Sequence, residues 1–435
     1  MMPVKVGLCG LGTVGRGTVR VLARNADVLA QRGGVGIELV QIGARNAVPD
    51  ADTGAIPFTR DIFAVAANPE IDILVELIGG IEPARELVLA AIANGKQVVT
   101  ANKALIATCG NEIFAAARAR GVTVAYEASV AGGIPIIKAL REGLAANRIR
   151  WLAGIINGTS NFILSEMRDK GRQFADVLAE AQLLGYAEAD PSFDVEGIDA
   201  AHKLVILAAL AFDMPLRPDA VYIEGITAIQ PEDVVYAGEL GYRIKHLGVA
   251  RRNGRGIELR VHPTLVPERS LIAQVHGVMN AIMVKGDAVG ATLYCGPGAG
   301  AEPTASAVIA DILDIARRLD GGGRDATAVP GGSDAAEPLD VVDIAAAESA
   351  HYLRVSALDR PGVLSQLAQI LSAHGISIEA IIQKEPAPGQ DHVPLIMLTN
   401  RTRESEVRAA IGAIERLESV SGPVVHLRKE ALDDA

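Results

Sequence analysis

The strongest constraint on this chain lies in its first seventeen residues. Val4 to Gly17 reads VKVGLCGLGTVGRG, a short β-branched run followed by Gly10-x-Gly12-x-x-Gly15 and an amphipathic segment to about Asn25. Glycines at that spacing, between a strand and a helix, have three separate tasks: a tight turn, close approach of a pyrophosphate to the main chain, and tight packing of helix on strand. The amino terminus of the helix, with Thr13 and Val14 in its first turn, then offers unbonded N–H groups and a positive dipole end to the same phosphate. An ordinary Gly-rich turn is the competing explanation. Placement directly after an initial strand and before a helix favours a dinucleotide.

The chain beyond Asn25 alternates in the same way. Ile37 to Arg45, IELVQIGAR, contains a second strand. Further strands are expected at residues 71–78, 97–100 and 122–127, separated by helices at 83–94 and 104–120. Strands alternating with helices through short Gly, Asn or Pro loops predict a parallel, doubly wound α/β sheet of Rossmann type over residues 1–135. In an NAD site a carboxylate near the end of the second strand holds the ribose hydroxyls, whereas an arginine accommodates a 2′-phosphate. The tip here carries Arg45 and no carboxylate, which tilts the expectation to NADP(H) and leaves NAD(H) open. Ligands of such sheets sit beyond the carboxyl ends of the strands. Two loops leave those ends: Thr100 to Lys103, whose lysine can face an anion, and Glu127 to Pro135.

Composition narrows the class. A chain of 435 residues, 49% of them hydrophobic, is expected to form two or three domains. A net charge of −11 with 3% aromatic residues argues against a nucleic-acid partner, which would want a basic stripe. No stretch approaches the roughly 20 apolar residues of a membrane span, and MMPVKVGLCG runs directly into the first strand, leaving no room for a signal peptide. Cys9, Cys109 and Cys295 are too far apart and too few for a disulfide framework or a zinc cluster. The expectation is a cytoplasmic globular protein.

Chemistry concentrates in Glu188 to Leu207, EADPSFDVEGIDAAHKLVIL. Asp199 and Lys203 stand four apart and share one face if residues 198–212 form a helix. That helix is apolar from Leu204 to Phe212, so it belongs in an interior. A lysine entering it is expected to be partly desolvated, with its pKa lowered toward a range useful for proton transfer. The bland alternative is an ordinary salt bridge.

Between about Ile136 and Gly300 the pattern changes to mixed helix and strand, with strand-like segments at 221–229, 248–251, 257–264, 281–285 and 288–294. Trp151 to Ile163 reads as a strand that ends in the polar turn Asn157-Gly-Thr-Ser-Asn161 and enters a helix. A second Gly-rich loop, Cys295 to Thr304, leads into a helix at 304–319 expected to return to the nucleotide domain. Residues 320–346 have the Gly, Pro and Asp content of a linker.

The motifs GLGTVG, TANKALIA, YEASVAGGIPII, GIINGTSNFIL, LLGYAEADPSFDVEGIDAAHKLVILA and GPGAGAEPTASAV, in this order, closely resemble homoserine dehydrogenase of the aspartate pathway. The resemblance covers nearly the whole chain. It implies reversible reduction of L-aspartate 4-semialdehyde to L-homoserine in threonine, methionine and isoleucine biosynthesis, with NADP(H) or NAD(H), and residues 136–303 as the substrate and dimerisation domain. By matching positions, Lys203 corresponds to the proton donor and acceptor on the substrate oxygen and Lys103 to a second lysine beside the reacting end. Glu188 and Asp199 correspond to substrate-holding carboxylates, and Gly185 and Gly300 to loops near the cofactor. Glu127, Val130, Gly132 and Ile134 match a loop that in the family holds a structural Na+ largely through main-chain carbonyls. No kinase segment precedes the nucleotide motif, so the monofunctional kind is expected.

The last stretch, 347–435, orders as strand 352–358, turn Asp359-Arg-Pro-Gly362, helix 363–374, strand 376–383, strand 392–399, helix 403–417 and strand 424–428. That βαββαβ order is ferredoxin-like. The turn, with His374-Gly-Ile-Ser-Ile378, resembles an ACT domain, which implies an amino-acid effector, L-threonine being the pathway's end product. A domain kept for dimerisation alone would show the same fold. The resemblance also implies a homodimer or homotetramer. The competing reading from another class is a non-catalytic sensor on the same folds; it would be expected to have lost one of Lys103, Glu188, Asp199 or Lys203, and all four are present.

Overall fold

The computed structural model describes residues 3–46, 56–320, 340–384 and 391–432. Most of the expected linker, residues 321–339, lies outside them. The chain divides into two compact units, neither of them one continuous stretch: Met1–Ile149 with His202–Asp219 and Asn280–Pro338, and Arg150–Ala201 with Ala220–Met279 and Leu339–Ala435.

In the first unit, β1 (Val4–Cys9), β2 (Ile37–Gly43), β3 (Phe58–Thr59), β4 (Ile73–Glu76), β5 (Gln97–Thr100) and β6 (Val124–Ala125) form one sheet in the order β3-β2-β1-β4-β5-β6. Every adjacent pair is parallel. A parallel sheet covered on both faces needs apolar residues on both, and all of β4 is buried accordingly. The core joins Val4, Val6, Ile73, Val75 and Val99 to Val308, Ile312 and Ile315 of the helix Ala301–Asp320. That helix lies close against the first helix, Thr13–Arg24: a Cβ on Gly17 would come within 2.4 Å of the Ala301 carbonyl oxygen. Their exposed ends are joined by Arg24, which donates to both oxygens of Glu302 at 3.0 and 2.9 Å. The strand expected at 122–127 is two residues long, because the chain tightens at once into a short 3-10 turn, Glu127–Ser129.

The second unit holds β7 (Ile149–Ile155), β8 (Tyr222–Ile223), β9 (Tyr242–Asn253) and β10 (Gly256–Pro267). Strands β11 (Met279–Gly286) and β12 (Gly290–Pro297) come next in the chain and, Met279 apart, belong to the first unit; the second resumes with β13 (Glu348–Leu358), β14 (Ile378–Gln383), β15 (His392–Thr399), β16 (Thr402–Arg403) and β17 (Val425–Lys429). Within this unit the strand order runs β7-β9-β10-β17-β13-β15-β14. The last four form the antiparallel sheet of a ferredoxin-like module. Its outer strand β17 pairs in parallel with β10, Thr264 opposite Arg428 and Leu265 opposite Lys429, so the module continues the sheet begun by β7, β9 and β10. Successive residues of β13 therefore serve two cores. Tyr352 packs with Ile163, Met167 and Leu265, and Leu353 packs with Leu367, Leu371, Val407 and Ile414 of the two helices on the other face.

Two differences from the sequence expectation stand out. The strand expected at 221–229 is only Tyr222–Ile223, with the chain then diverted into the helix Pro231–Glu239, which sequence patterning did not signal. The short strands expected at 248–251 and 257–264 are the middles of a twelve-residue antiparallel pair, β9 and β10.

Candidate functional site

The carboxyl ends of β1, β2 and β4 open onto a cleft of about 440 Å³ lined by Gly10, Leu11, Gly12, Ala44, Arg45, Gly79 and neighbours. Gly10 has φ 105°, and a Cβ there would lie 2.4 Å from the Leu77 carbonyl oxygen. A Cβ on Gly15 would come within 2.0 Å of the Gly10 carbonyl oxygen, whereas a Cβ on Gly12 meets no atom of the described residues within 4 Å. Gly10 and Gly15 are thus required by the protein itself, and Gly12 by whatever approaches from the cleft. No side chain caps the helix Thr13–Arg24, so its first N–H groups, Thr13 and Val14 included, remain available to an anion. Arg45 lies exposed on the cleft wall. These residues fit a dinucleotide.

Beside this cleft a buried carboxylate that sequence patterning missed organises two loops. Glu76, fully buried at the end of β4, accepts from Thr100 Oγ1 at 2.6 Å and from the N–H groups of Ile78 and Gly79 at 2.7 and 3.2 Å. Burial raises its pKa while these bonds oppose the shift. Thr100 Oγ1 in turn accepts from the Asn102 N–H, and the Asn102 side chain donates to the Gly80 carbonyl and caps the next helix through the Leu105 N–H. Lys103, half-buried, is the first residue of that helix, Lys103–Arg120. One carboxylate therefore fixes both the cleft loop and the entry to Lys103. Its only sequence signal is a lone acid inside the apolar run ILVELIGG.

Asp199 and Lys203 both lie in the helix Ile198–Phe212, Asp199 within the second unit and Lys203 within the first. Asp199 is 3% exposed and Lys203 9%. The helix begins after Gly197 (φ 89°), whose carbonyl accepts from the Ala201 N–H. In the second unit, Asn157 Nδ2 donates to Asp199 Oδ2 at 2.9 Å and to Asp194 Oδ1 at 2.7 Å. Glu188 is exposed, on the loop after the helix Phe174–Leu183, where Gln182 Nε2 donates to its carbonyl at 3.1 Å. Gly185 (φ 74°) turns that loop, and Tyr186 presents its carbonyl to Thr159 Oγ1 at 2.6 Å. Gly300 (φ 126°) belongs to the first unit and precedes the helix Ala301–Asp320.

A second buried amine escaped sequence reading altogether. Lys245, in β9, is 2% exposed, and burial pushes its pKa down to about 7. It donates to the Val275 carbonyl at 2.5 Å and to Asn161 Oδ1 at 3.2 Å, while Asn161 Nδ2 donates to the carbonyls of Val275, Gly277 and Met279. These bonds assign it to bracing the segment before β11.

The loop with Glu127, Val130, Gly132 and Ile134 is buried in the first unit apart from Gly133. Ala131 there adopts φ 51°, a conformation uncommon without glycine, so the surrounding structure dictates the loop's shape. Both Glu127 carboxylate oxygens are engaged, accepting from the Ile137 and Lys138 N–H groups at 2.8 Å, and its own N–H donates to Asp311. An ion here would have main-chain oxygens as its donors, a set that suits a hard, singly charged cation.

In the ferredoxin-like module, Leu358, Asp359, Arg360, Pro361, Gly362 and Gln383 line a cleft of about 310 Å³. The helix Val363–Ala373 points its uncapped amino terminus there from Gly362 (φ 94°), and Gln383 Nε2 holds Asp359 Oδ1 at 3.1 Å. A carboxylate and an uncapped helix start are complementary to the ammonium and carboxylate of an amino acid. His351, Glu404 and His426 also lie together. The Glu404 oxygens accept from the Arg428 and Arg408 guanidinium groups and its pKa falls to about 2, which makes this a buried ion-pair network rather than a metal centre.

Three family models match the chain: "Homoserine dehydrogenase, NAD binding domain" over residues 10–127, "Homoserine dehydrogenase" over 135–313, and "ACT domain" over 351–419. A homoserine dehydrogenase from Pseudomonas aeruginosa is 63% identical over 434 residues, all of both chains, and one from Neisseria gonorrhoeae is 53% identical over 445 residues, again all of both. The crystal structure of a homoserine dehydrogenase from Thiobacillus denitrificans is similar over 99% of each chain, with TM-score 0.94 and 58% identity. A hyperthermophilic archaeal homoserine dehydrogenase in complex with NADPH covers 72% of this chain and 98% of its own, with TM-score 0.62 and 26% identity. Among the described residues no helix is long and apolar enough to cross a membrane.

Proposed function

The chain belongs to the homoserine dehydrogenase family, an oxidoreductase family with a nicotinamide-binding domain and here an ACT domain, and from that premise we propose how its residues divide the work. The reaction is the reversible interconversion of L-homoserine and L-aspartate 4-semialdehyde. The bound nicotinamide supplies the hydride chemistry. Lys203 accepts the hydroxyl proton in oxidation and returns one to the nascent alkoxide in reduction; the observation that carries this is an amine only 9% exposed, one helical turn after a buried carboxylate. Asp199 and Glu188 hold the substrate ammonium, and Lys103 is the second lysine beside the reacting end.

Gly10, Gly12, Thr13, Val14 and Gly15 would hold the dinucleotide pyrophosphate, and Gly185 and Gly300 correspond to family loops that serve the cofactor. Arg45 on the cleft wall supports NADP(H) over NAD(H). The main-chain oxygens of Glu127, Val130, Gly132 and Ile134 would hold a Na+ ion with a structural role and no part in the reaction. L-threonine is the effector: its carboxylate faces the helix after Gly362 and its ammonium Asp359. The enzyme works as a homodimer or homotetramer in the cytoplasm, in threonine, methionine and isoleucine biosynthesis. Mixing protein, homoserine and NADP+ tests the core of this reading. Reduced nicotinamide should accumulate, and a flat absorbance trace from folded, cofactor-bound protein would refute it. Asp359→Ala should abolish threonine inhibition at unchanged basal rate.

A further inference from the structure

We propose that Asn157 is a positioning residue for the substrate's ammonium, acting through Asp199; the proposal rests on the reading of Asp199 as a substrate carboxylate. Asn157 follows β7 in extended conformation, and its Oδ1 accepts from the Ser160 N–H at 2.8 Å, capping the helix Gly158–Lys170. That bond, and the two acceptors opposite, fix the orientation of the amide: Nδ2 must face the carboxylates. Its two hydrogens are then used, one on Asp194 Oδ1 at 2.7 Å and one on Asp199 Oδ2 at 2.9 Å. The side chain is 5% exposed and fully satisfied.

Two carboxylates that share one donor nitrogen repel each other, and a neighbouring like charge disfavours the charged form of each. A neutral donor between them offsets part of that repulsion and fixes their geometry for an incoming cation. No other residue type does all of this. Serine could cap the helix but has one hydrogen to give, and aspartate could cap but donates only when protonated.

The aspartate variant is therefore the decisive test. Asn157→Asp keeps the helix cap, so it folds, and among three carboxylates one is expected to hold a proton with a raised pKa. With that proton it imitates the amide; without it, it opposes Asp199. Relative to wild type at the same pH, its KM for homoserine should rise about tenfold or more at pH 8, the scale of one lost hydrogen bond to a charged group. The ratio should return toward one at pH 6. The KM for the nicotinamide cofactor should stay near wild type, the melting temperature should fall between pH 6 and pH 8 as the raised carboxyl pKa requires, and kcat should change less than KM.

A KM ratio near one at pH 8, or an elevation equal at both pH values, would overturn the proposal and leave Asn157 a helix cap. Asp199→Asn is measured beside it. If it leaves the homoserine KM unchanged, the substrate role of Asp199 fails and the proposal with it. A raised KM in Asp199→Asn together with an unaffected Asn157→Asp overturns the proposal alone.

Discussion

The dinucleotide cleft and the acidic segment around Asp199 are built in opposite ways. The cleft is made of main chain: a helix start without a side-chain cap, glycines whose absent Cβ atoms leave room, and strand ends fixed by the sheet. The acidic segment is made of side chains placed by other side chains, Asp199 by Asn157 and the Glu188 loop by Gln182. Main-chain sites fail when atoms collide and are indifferent to pH. Side-chain sites fail when a charge or a donor is lost, and they titrate.

Substitutions can break that contrast, and the largest effect should come from Gly15→Ala. Its new methyl would meet the main-chain carbonyl oxygen of Gly10 at 2.0 Å, an atom that cannot swing aside as a side chain could. We expect a loss of stability of about 3 kcal/mol or more, or failure to fold, in a thermal melt at any pH. A pH-dependent loss would contradict the main-chain account.

The ACT module supplies the titrating counterpart. Burial lowers the His351 pKa from 6.5 to about 4, so its imidazole is neutral in the native state where the unfolded chain would take a proton. The native contribution is fully present above pH 6.5 and is lost as pH falls toward 4. At 1.36 kcal/mol per unit this amounts to about 3 kcal/mol. His351→Gln should flatten that part of the acid limb in denaturant titrations, whatever it costs at neutral pH.

Gly12→Ala should behave unlike Gly15→Ala, because no described residue meets the new methyl. Its melting temperature should match wild type while cofactor Kd by calorimetry rises about 10- to 100-fold, the close approach being blocked. An unchanged Kd would mean that the pyrophosphate lies elsewhere. The smallest effect is expected of Arg45→Ala: NADP+ should lose about tenfold in kcat/KM and NAD+ little, as for one exposed charge on the 2′-phosphate.

The same contrast explains what could be read from the sequence. Main-chain devices are local, so Gly10-x-Gly12-x-x-Gly15, the alternation of strand and helix, and the turn at Gly362 are legible within a dozen residues. Asn157 is not, because its acceptors lie 37 and 42 residues on and the sequence shows only a polar turn. Glu76 looks like a stray acid until Thr100, 24 residues later, is placed beside it. Lys245 lies just before the strand expected at 248–251 and carries no signal until the Val275 carbonyl, 30 residues later, is placed beside it. The ferredoxin-like order was visible in the last 90 or so residues. The parallel pairing of β17 on β10 was not, since two residue pairs more than 160 positions apart leave no local pattern.

The proton carrier proposed above is Lys203, and a single-turnover experiment addresses it directly. With Lys203→Met, which keeps the side chain's length and apolar contacts, NADP+ should bind within about threefold of wild type while hydride transfer from homoserine falls at least about a thousandfold, within the range for loss of a general base. Hydride transfer near the wild-type rate in cofactor-saturated Lys203→Met would show that another group moves the proton.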